Sequence, residues 1–177
     1  MCDLIVAAPR CAPMTTQPDA ITPQSRSLLK PILTGGILAG LLDAASAIHT
    51  FGWGMSYGIA SGLLGSKAFP QAGGGGAAIW LLGMALHFLI ALSAAAVYCY
   101  ASRRLGFLQG HFLVGGVICG SAVFLVMNLV VLPLSAVPFP IGPFTVQGLR
   151  LGLLAHIGLI GLPISISLWF FSGRSPR

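Results

Sequence analysis

The 177-residue sequence is 56% hydrophobic and only 7% charged, whereas soluble domains carry about 25% charged residues. So few charges cannot cover the water-facing surface of a small domain, which keeps a large share of its area exposed. The net charge of +6 does not indicate a nucleic-acid partner, because the basic residues stand singly or in pairs at the ends of apolar runs. We therefore expect a membrane protein that contacts the lipid bilayer and binds no nucleic acid.

The N-terminal segment, residues 1–27, contains several prolines and scattered polar residues without apolar periodicity. Such a composition buries too little apolar surface to fold, so we predict a disordered cytoplasmic leader. A membrane domain should follow over residues 28–172, and residues 173–177 should form a short cytoplasmic tail.

The first apolar run covers residues 32–51 and follows Pro31, a residue that is tolerated at the start of a helix. About 20 apolar residues in a helix span the roughly 30 Å of bilayer hydrocarbon. This run is the least regular of the predicted spans because it includes Asp43 and His49.

Residues 52–76 are rich in glycine, and Ile59, Leu63 and Phe69 give them a short apolar face. This pattern predicts an interfacial or re-entrant helix followed by a flexible link at residues 73–76. A plain loop is the alternative.

Three more apolar runs cover residues 77–100, 112–134 and 151–171, and none contains a charged side chain. Each run has about 21 to 24 residues, the length of a spanning helix. In lipid, only helices and closed barrels satisfy all backbone polar groups, and continuous apolar runs are typical of helices. The predicted fold is all-α, a four-helix transmembrane bundle.

Basic residues near the helix ends predict the orientation of the bundle. Two of them, Lys67 and Arg150, fall on one side of the membrane, and six fall on the other. Loops rich in Lys and Arg stay in the cytoplasm, so both termini should be cytoplasmic. The six are Arg26, Lys30, Arg103, Arg104, Arg174 and Arg177.

Small residues recur at every fourth position in several runs, as in Gly36, Gly40 and Ala44 of the first and Gly116 and Gly120 of the third. Such faces allow helix backbones to approach closely and gain dispersion contacts. The spacing favours a packed bundle but identifies no function.

Each predicted helix contains one polar side chain that is costly in lipid: Asp43, His87, Asn128 and His156. The functional interpretation is an intramembrane polar cluster that serves as a proton path, an ion site or a ligand site. The structural interpretation is that these groups form interhelical hydrogen bonds and specify which helices pair. We favour the structural interpretation and keep the functional one as the alternative.

A cofactor is not expected, although His87 and His156 could supply two axial ligands to a haem, which is the last-ranked alternative. The four cysteines and four histidines show no metal-ligand spacing. No nucleophile elbow, phosphate-binding loop or dinucleotide fingerprint is present. We therefore predict no metal, no catalytic residue and no enzymatic activity.

Five segments resemble a family of small four-span bacterial inner-membrane proteins, the YagU-like group. They are SGLLGSKAF at 61–69, LGMALHFLIAL at 82–92, ASRRL at 101–105, MNLVVLPLSA at 127–136 and GLPISI at 161–166. The resemblance covers roughly residues 27–171 and implies four membrane helices in the bacterial cytoplasmic membrane. It implies no activity, and Asp43 is less characteristic of the group than His87, Asn128 and His156.

The resulting prediction is a multi-pass membrane protein that acts by binding or scaffolding, or as an accessory subunit of a larger membrane complex. The alternative is a small transporter or proton-handling protein that uses the polar cluster. Transporters usually contain internal repeats, and the two halves of this chain show no convincing match. A homo-oligomer could nevertheless form a pore that a single bundle lacks.

Overall fold

The computed structural model describes residues 27–138 and 145–173. The predicted leader and tail lie outside the described residues, apart from Ser27 and Gly173 at their edges. In the described part of the chain there are six α-helices, two short 3-10 helices at Gly65–Ala68 and Pro70–Ala72, and no strand. The α-helices are α1 (Leu29–Phe51), α2 (Met55–Leu64), α3 (Gly76–Arg104), α4 (Phe107–Gly110), α5 (Phe112–Leu134) and α6 (Val146–Ser172).

Four of these helices, α1, α3, α5 and α6, are long and apolar enough to cross a membrane. They contain 23, 29, 23 and 27 residues. At 1.5 Å per residue each is longer than the roughly 30 Å of bilayer hydrocarbon. The all-α, four-span prediction is confirmed, and this is the architecture of a multi-pass membrane protein.

Three helices extend beyond the apolar runs that predicted them. Helix α1 begins at Leu29, α3 continues to Arg104 and α6 begins at Val146. Helix α6 begins before its apolar run because Thr145 caps it: the Thr145 hydroxyl accepts a hydrogen bond from the Gly148 N–H at 3.0 Å. The pattern of apolar residues alone does not indicate such a cap.

The longer end of α3 is stabilised by polar contacts at Ser102. This side chain is fully buried, and its hydroxyl donates to the Cys99 carbonyl within the helix. The Gln109 side-chain amide donates to the Ser102 carbonyl at 2.9 Å, which satisfies one of the carbonyls that a helix end leaves without a partner. The predicted end at residue 100 was therefore too early.

The short helix predicted between the first two spans is confirmed as α2, and the plain-loop alternative is wrong for Met55–Leu64. The Ser56 hydroxyl donates to the Trp80 carbonyl of α3. Gly83 of α3 lies directly against Ser56, where a Cβ atom would overlap the Ser56 carbonyl. Close contact with α3 thus holds α2 in place.

The long helices are arranged in the order α3, α1, α6, α5. Helix α1 packs against both α3 and α6, and α6 packs against both α1 and α5. Of the most apolar stretches, 33% of α1 and 39% of α6 are buried, against 17% of α3 and 11% of α5. Helices α1 and α6 are therefore central, and α3 and α5 are lateral.

Glycines form the contact between α1 and α3, as the small-residue spacing predicted. A Cβ atom on Gly36 would lie 3.0 Å from the Leu92 Cα, and one on Gly40 would lie 2.7 Å from the Phe88 ring. Both positions accept hydrogen alone without rearrangement of α3. The absence of a side chain lets the two backbones approach closely.

Helices α5 and α6 approach each other more closely still. A Cβ atom on Gly161 of α6 would overlap the Gly116 carbonyl and lie 2.6 Å from the Gly120 nitrogen of α5. One on Gly120 would in turn lie 2.6 Å from the His156 carbonyl. At these positions backbone lies against backbone, which leaves no space for a side chain on Gly120 or Gly161.

Candidate functional site

The structure brings Asp43 of α1 close to His87 of α3. One carboxylate oxygen, Oδ2, lies 4.0 Å from the His87 Nε2 atom. This distance permits electrostatic attraction but is too long for a hydrogen bond. The two side chains are mostly shielded, with exposed fractions of 25% for Asp43 and 11% for His87.

The His87 ring is held by a different group, the Gly40 carbonyl, which lies 3.0 Å from Nε2. A carbonyl oxygen only accepts hydrogen bonds, so Nε2 carries the hydrogen and donates it across the α1–α3 interface. A proton transfer between Nε2 and Asp43 would first have to break this bond. The His87 side chain thus links α3 to α1 through the Gly40 carbonyl.

Asn128 and His156 form hydrogen bonds within their own helices. The Asn128 amide donates to the Phe124 carbonyl at 2.9 Å, and His156 Nδ1 lies 2.8 Å from the Gly152 carbonyl. The His156 ring also packs edge-on against the Phe124 ring, with centroids 5.4 Å apart. Phe124 of α5 thus contacts both polar residues.

The four polar residues are distributed over two places in the bundle. Asp43 and His87 lie at the α1–α3 contact, and Asn128 and His156 lie around Phe124 at the α5–α6 contact. Across residues 27–138 and 145–173, no hydrogen bond or ion pair joins the first pair to the second. A single four-residue site therefore has no direct connection between its halves.

Asn128 and His156 both lie in π-helical turns, Met127–Val131 in α5 and His156–Gly161 in α6. Pro133 and Pro163 follow these turns. A proline ring clashes with the carbonyl four residues earlier, and a widened turn moves that carbonyl away. Apolar hydropathy is insensitive to such turns, although prolines inside spanning runs are a signal for them.

Within the part of the chain that the structure describes, no three His, Cys, Asp or Glu side chains are grouped to hold a metal ion. For haem, His87 uses Nε2 for the Gly40 carbonyl, while His156 uses Nδ1 and leaves Nε2 for other contacts. His87 would have to release Gly40 to present the same nitrogen as His156.

A groove between α3 and α5 is the feature that the sequence did not predict. These two lateral helices lie on either side of an apolar cavity of about 420 Å³ that is open on one side. The groove exists because α3 packs on α1 and α5 packs on α6, so neither fills the space between them. Its main walls are Ile90, Ala94 and Val97 of α3 and Ile118, Ala122 and Val126 of α5.

One end of the groove is closed and the neighbouring surface is basic. Tyr98 reaches from α3 to α5, where Gly115 leaves room for its hydroxyl, which donates to the Leu108 carbonyl at 3.4 Å. Ala101 and Leu105 line this end of the groove, and Arg104 lies between them on α3. Because residues seven apart share a helix face, Arg104 continues the face that carries Val97 and Ile90.

Arg103 differs from Arg104 in its position on the helix. Its guanidinium carbon lies 5.6 Å from the centroid of the Tyr100 ring, a cation–π contact. Tyr100 is exposed and does not line the groove. Arg104 thus lies on the groove face of α3, and Arg103 lies beside that face.

Comparison of the chain with family models, with curated proteins and with solved structures gives no match in any of the three.

Proposed function

We propose that this chain is a non-catalytic binding protein of the bacterial cytoplasmic membrane, which takes the apolar part of a ligand from the bilayer into the groove between α3 and α5. It would act alone or as an accessory subunit of a larger membrane complex. The observation that carries the proposal is the groove itself. An open apolar cavity of about 420 Å³ between two spanning helices falls in the size range of ligand sites.

The packing of the rest of the bundle supports this choice of site. The α1–α3 and α5–α6 contacts are closed by glycine, so neither has space for a ligand. At the groove, by contrast, two spanning helices flank a cavity without filling it. Its apolar lining matches a ligand that is already dissolved in hydrocarbon.

The location in a bacterial membrane and the cytoplasmic placement of both termini belong to the same proposal. The location is supported by the resemblance of five sequence segments to the YagU-like group. The orientation is supported by the six basic residues on one side against two on the other.

The binding role is tested by filling the groove. Ala122→Phe places a ring between the helices, and Val117→Phe places the same ring on an exposed position of α5 outside the groove. The proteins are extracted from bacterial membranes in mild detergent, and bound molecules are weighed by native mass spectrometry. We expect adducts on the wild type and on Val117→Phe that are lost from Ala122→Phe. Equal adducts on all three proteins would contradict a binding function of the groove.

Proton handling is the second candidate, favoured by the 4.0 Å separation of Asp43 and His87. A carboxylate beside an imidazole within the membrane is a familiar proton relay. Asp43→Asn keeps the shape of the side chain and removes its proton affinity. Proton flux into liposomes decides this candidate: a wild-type flux that Asp43→Asn abolishes would establish it. Flux equal to that of protein-free vesicles in both proteins would eliminate it, and that is the result we expect.

A further inference from the structure

We propose that the groove holds one acyl chain of an anionic phospholipid and that Arg104 binds the phosphate of its headgroup. This proposal rests on the proposed binding function and names the ligand of the same groove. It combines three observations: the length of the groove, its volume and the position of one arginine at its end.

The groove is long enough for an acyl chain. Its α3 wall extends from Ile90 to Leu105, which corresponds to about 22 Å at 1.5 Å per residue. One leaflet contributes about 15 Å of hydrocarbon, half of the bilayer core. A chain that lies in the groove through its open side, with its headgroup beside Leu105, can therefore contact protein over the full depth of its leaflet.

The volume favours a chain over a helix from a second copy or another protein. A helix about 10 Å wide and about 22 Å long occupies roughly 1,700 Å³. The whole empty space of the groove, its open side included, is about 1030 Å³, about three-fifths of that. A helix therefore does not fit within the groove, whereas a narrow acyl chain does.

The charge at the end of the groove selects the headgroup. Arg104 is exposed and lies on the same helix face as the lining residues Val97 and Ala101. The sole acidic residue among those described is Asp43, which is paired with His87. No described carboxylate thus neutralises Arg104, and a guanidinium binds phosphate oxygens in a bidentate manner.

Selectivity must come from the net charge of the headgroup at this contact: the choline cation of phosphatidylcholine offsets its own phosphate, whereas the phosphate of an anionic lipid is not offset, and the acyl chain itself gains little from leaving the bilayer. Lipid tails are as apolar as the groove, so transfer between them has no hydrophobic driving force. The chain gains dispersion contacts that any phospholipid would share. A basic residue at the membrane surface raises the binding constant for an anionic lipid by about fivefold. This factor is the preference that we expect.

The experiment measures lipid retention by native mass spectrometry on delipidated full-length protein. Phosphatidylglycerol and phosphatidylcholine with identical chains are added in equal amounts. We expect the wild type to retain phosphatidylglycerol about fivefold better. Arg104→Gln should bind both lipids equally, and Arg103→Gln should keep the wild-type preference. Inorganic phosphate in large excess should displace neither lipid, because it lacks the chain that fills the groove.

The outcomes distinguish a failure of the Arg104–headgroup contact from a failure of the proposed binding function. If Ala122→Phe retains both lipids as the wild type does, the groove is not the binding site and both proposals fail. If Ala122→Phe loses both lipids but Arg104→Gln keeps the wild-type preference, the groove binds lipid and the headgroup contact is overturned. Equal losses of preference in Arg103→Gln and Arg104→Gln would indicate a diffuse surface charge and also overturn it. A dimer of the delipidated protein that phosphatidylglycerol does not dissociate would overturn the proposal as well, because a second copy would then occupy the groove.

Discussion

The two sides of α5 differ in how they meet the rest of the bundle. Toward α6, Gly116 and Gly120 face Gly161, and the two backbones touch. Toward α3, Ile118 and Val126 project into a groove that neither helix fills. Both sides are apolar, so hydropathy does not distinguish them. The difference shows that, in lipid, the distribution of glycine decides whether a helix face closes on protein or remains open to the bilayer.

The largest effect is expected where glycine closes the α5–α6 contact. Gly161→Ala places a methyl group against the Gly116 carbonyl, and the backbone of α5 must move. Overpacking of this kind costs about 2 to 3 kcal/mol. The matched control is Gly158→Ala in the same turn, where a Cβ atom meets no atom within 4 Å. Reversible unfolding in detergent should show a loss for Gly161→Ala and little change for Gly158→Ala. Equal losses would mean that α5 and α6 are not in backbone contact.

An intermediate effect is expected at the closed end of the groove. Tyr98→Phe removes the hydroxyl that contacts the Leu108 carbonyl and keeps the buried ring. Loss of one hydrogen bond of this length should cost about 0.5 to 1 kcal/mol. The exposed Tyr100→Phe is the control, because Tyr100 lies outside the groove. If the two variants have the same unfolding midpoint, the Tyr98 hydroxyl does not stabilise the contact between α3 and the α4–α5 segment.

The smallest effect on stability is expected in the open wall of the groove. Val97 is 70% exposed, so in the bilayer its side chain contacts lipid. Val97→Ala exchanges protein methyl groups for lipid methylenes, and the free energy of unfolding should change by less than about 0.5 kcal/mol. Measurement in lipid bicelles is essential, because detergent packs differently from acyl chains. A loss above 1 kcal/mol, typical of a cavity in a packed core, would mean that Val97 is buried against protein.

The sequence predicted the helices well because hydrophobic length is a local property. Four apolar runs became α1, α3, α5 and α6, and the glycine-rich segment contained α2. The observed helix ends at Val146 and Arg104 lie outside the apolar runs, because they depend on the Thr145 cap and on the buried Ser102.

The candidate sites were less predictable, because they depend on which helices become neighbours. Asp43 and His87 do approach each other, through a contact that requires Gly40. Asn128 and His156 instead bond to carbonyls four residues earlier in their own helices, a local solution available to any isolated polar side chain in lipid. The groove had no sequence signal of its own, because its two walls belong to helices that meet near Tyr98 and Gly115 and diverge elsewhere.

The contrast between the two sides of α5 is tested most directly by oxygen accessibility of nitroxide spin labels in lipid nanodiscs, with the native cysteines replaced. Labels at Ile118 and Val126 report on the groove, and labels at Val117 and Leu125 report on the outer surface of the same helix. Oxygen dissolves in hydrocarbon, so a lipid-filled groove should give all four labels similar, high accessibility. Protection of Ile118 and Val126 alone would show that α3 closes on α5, and the groove would not exist.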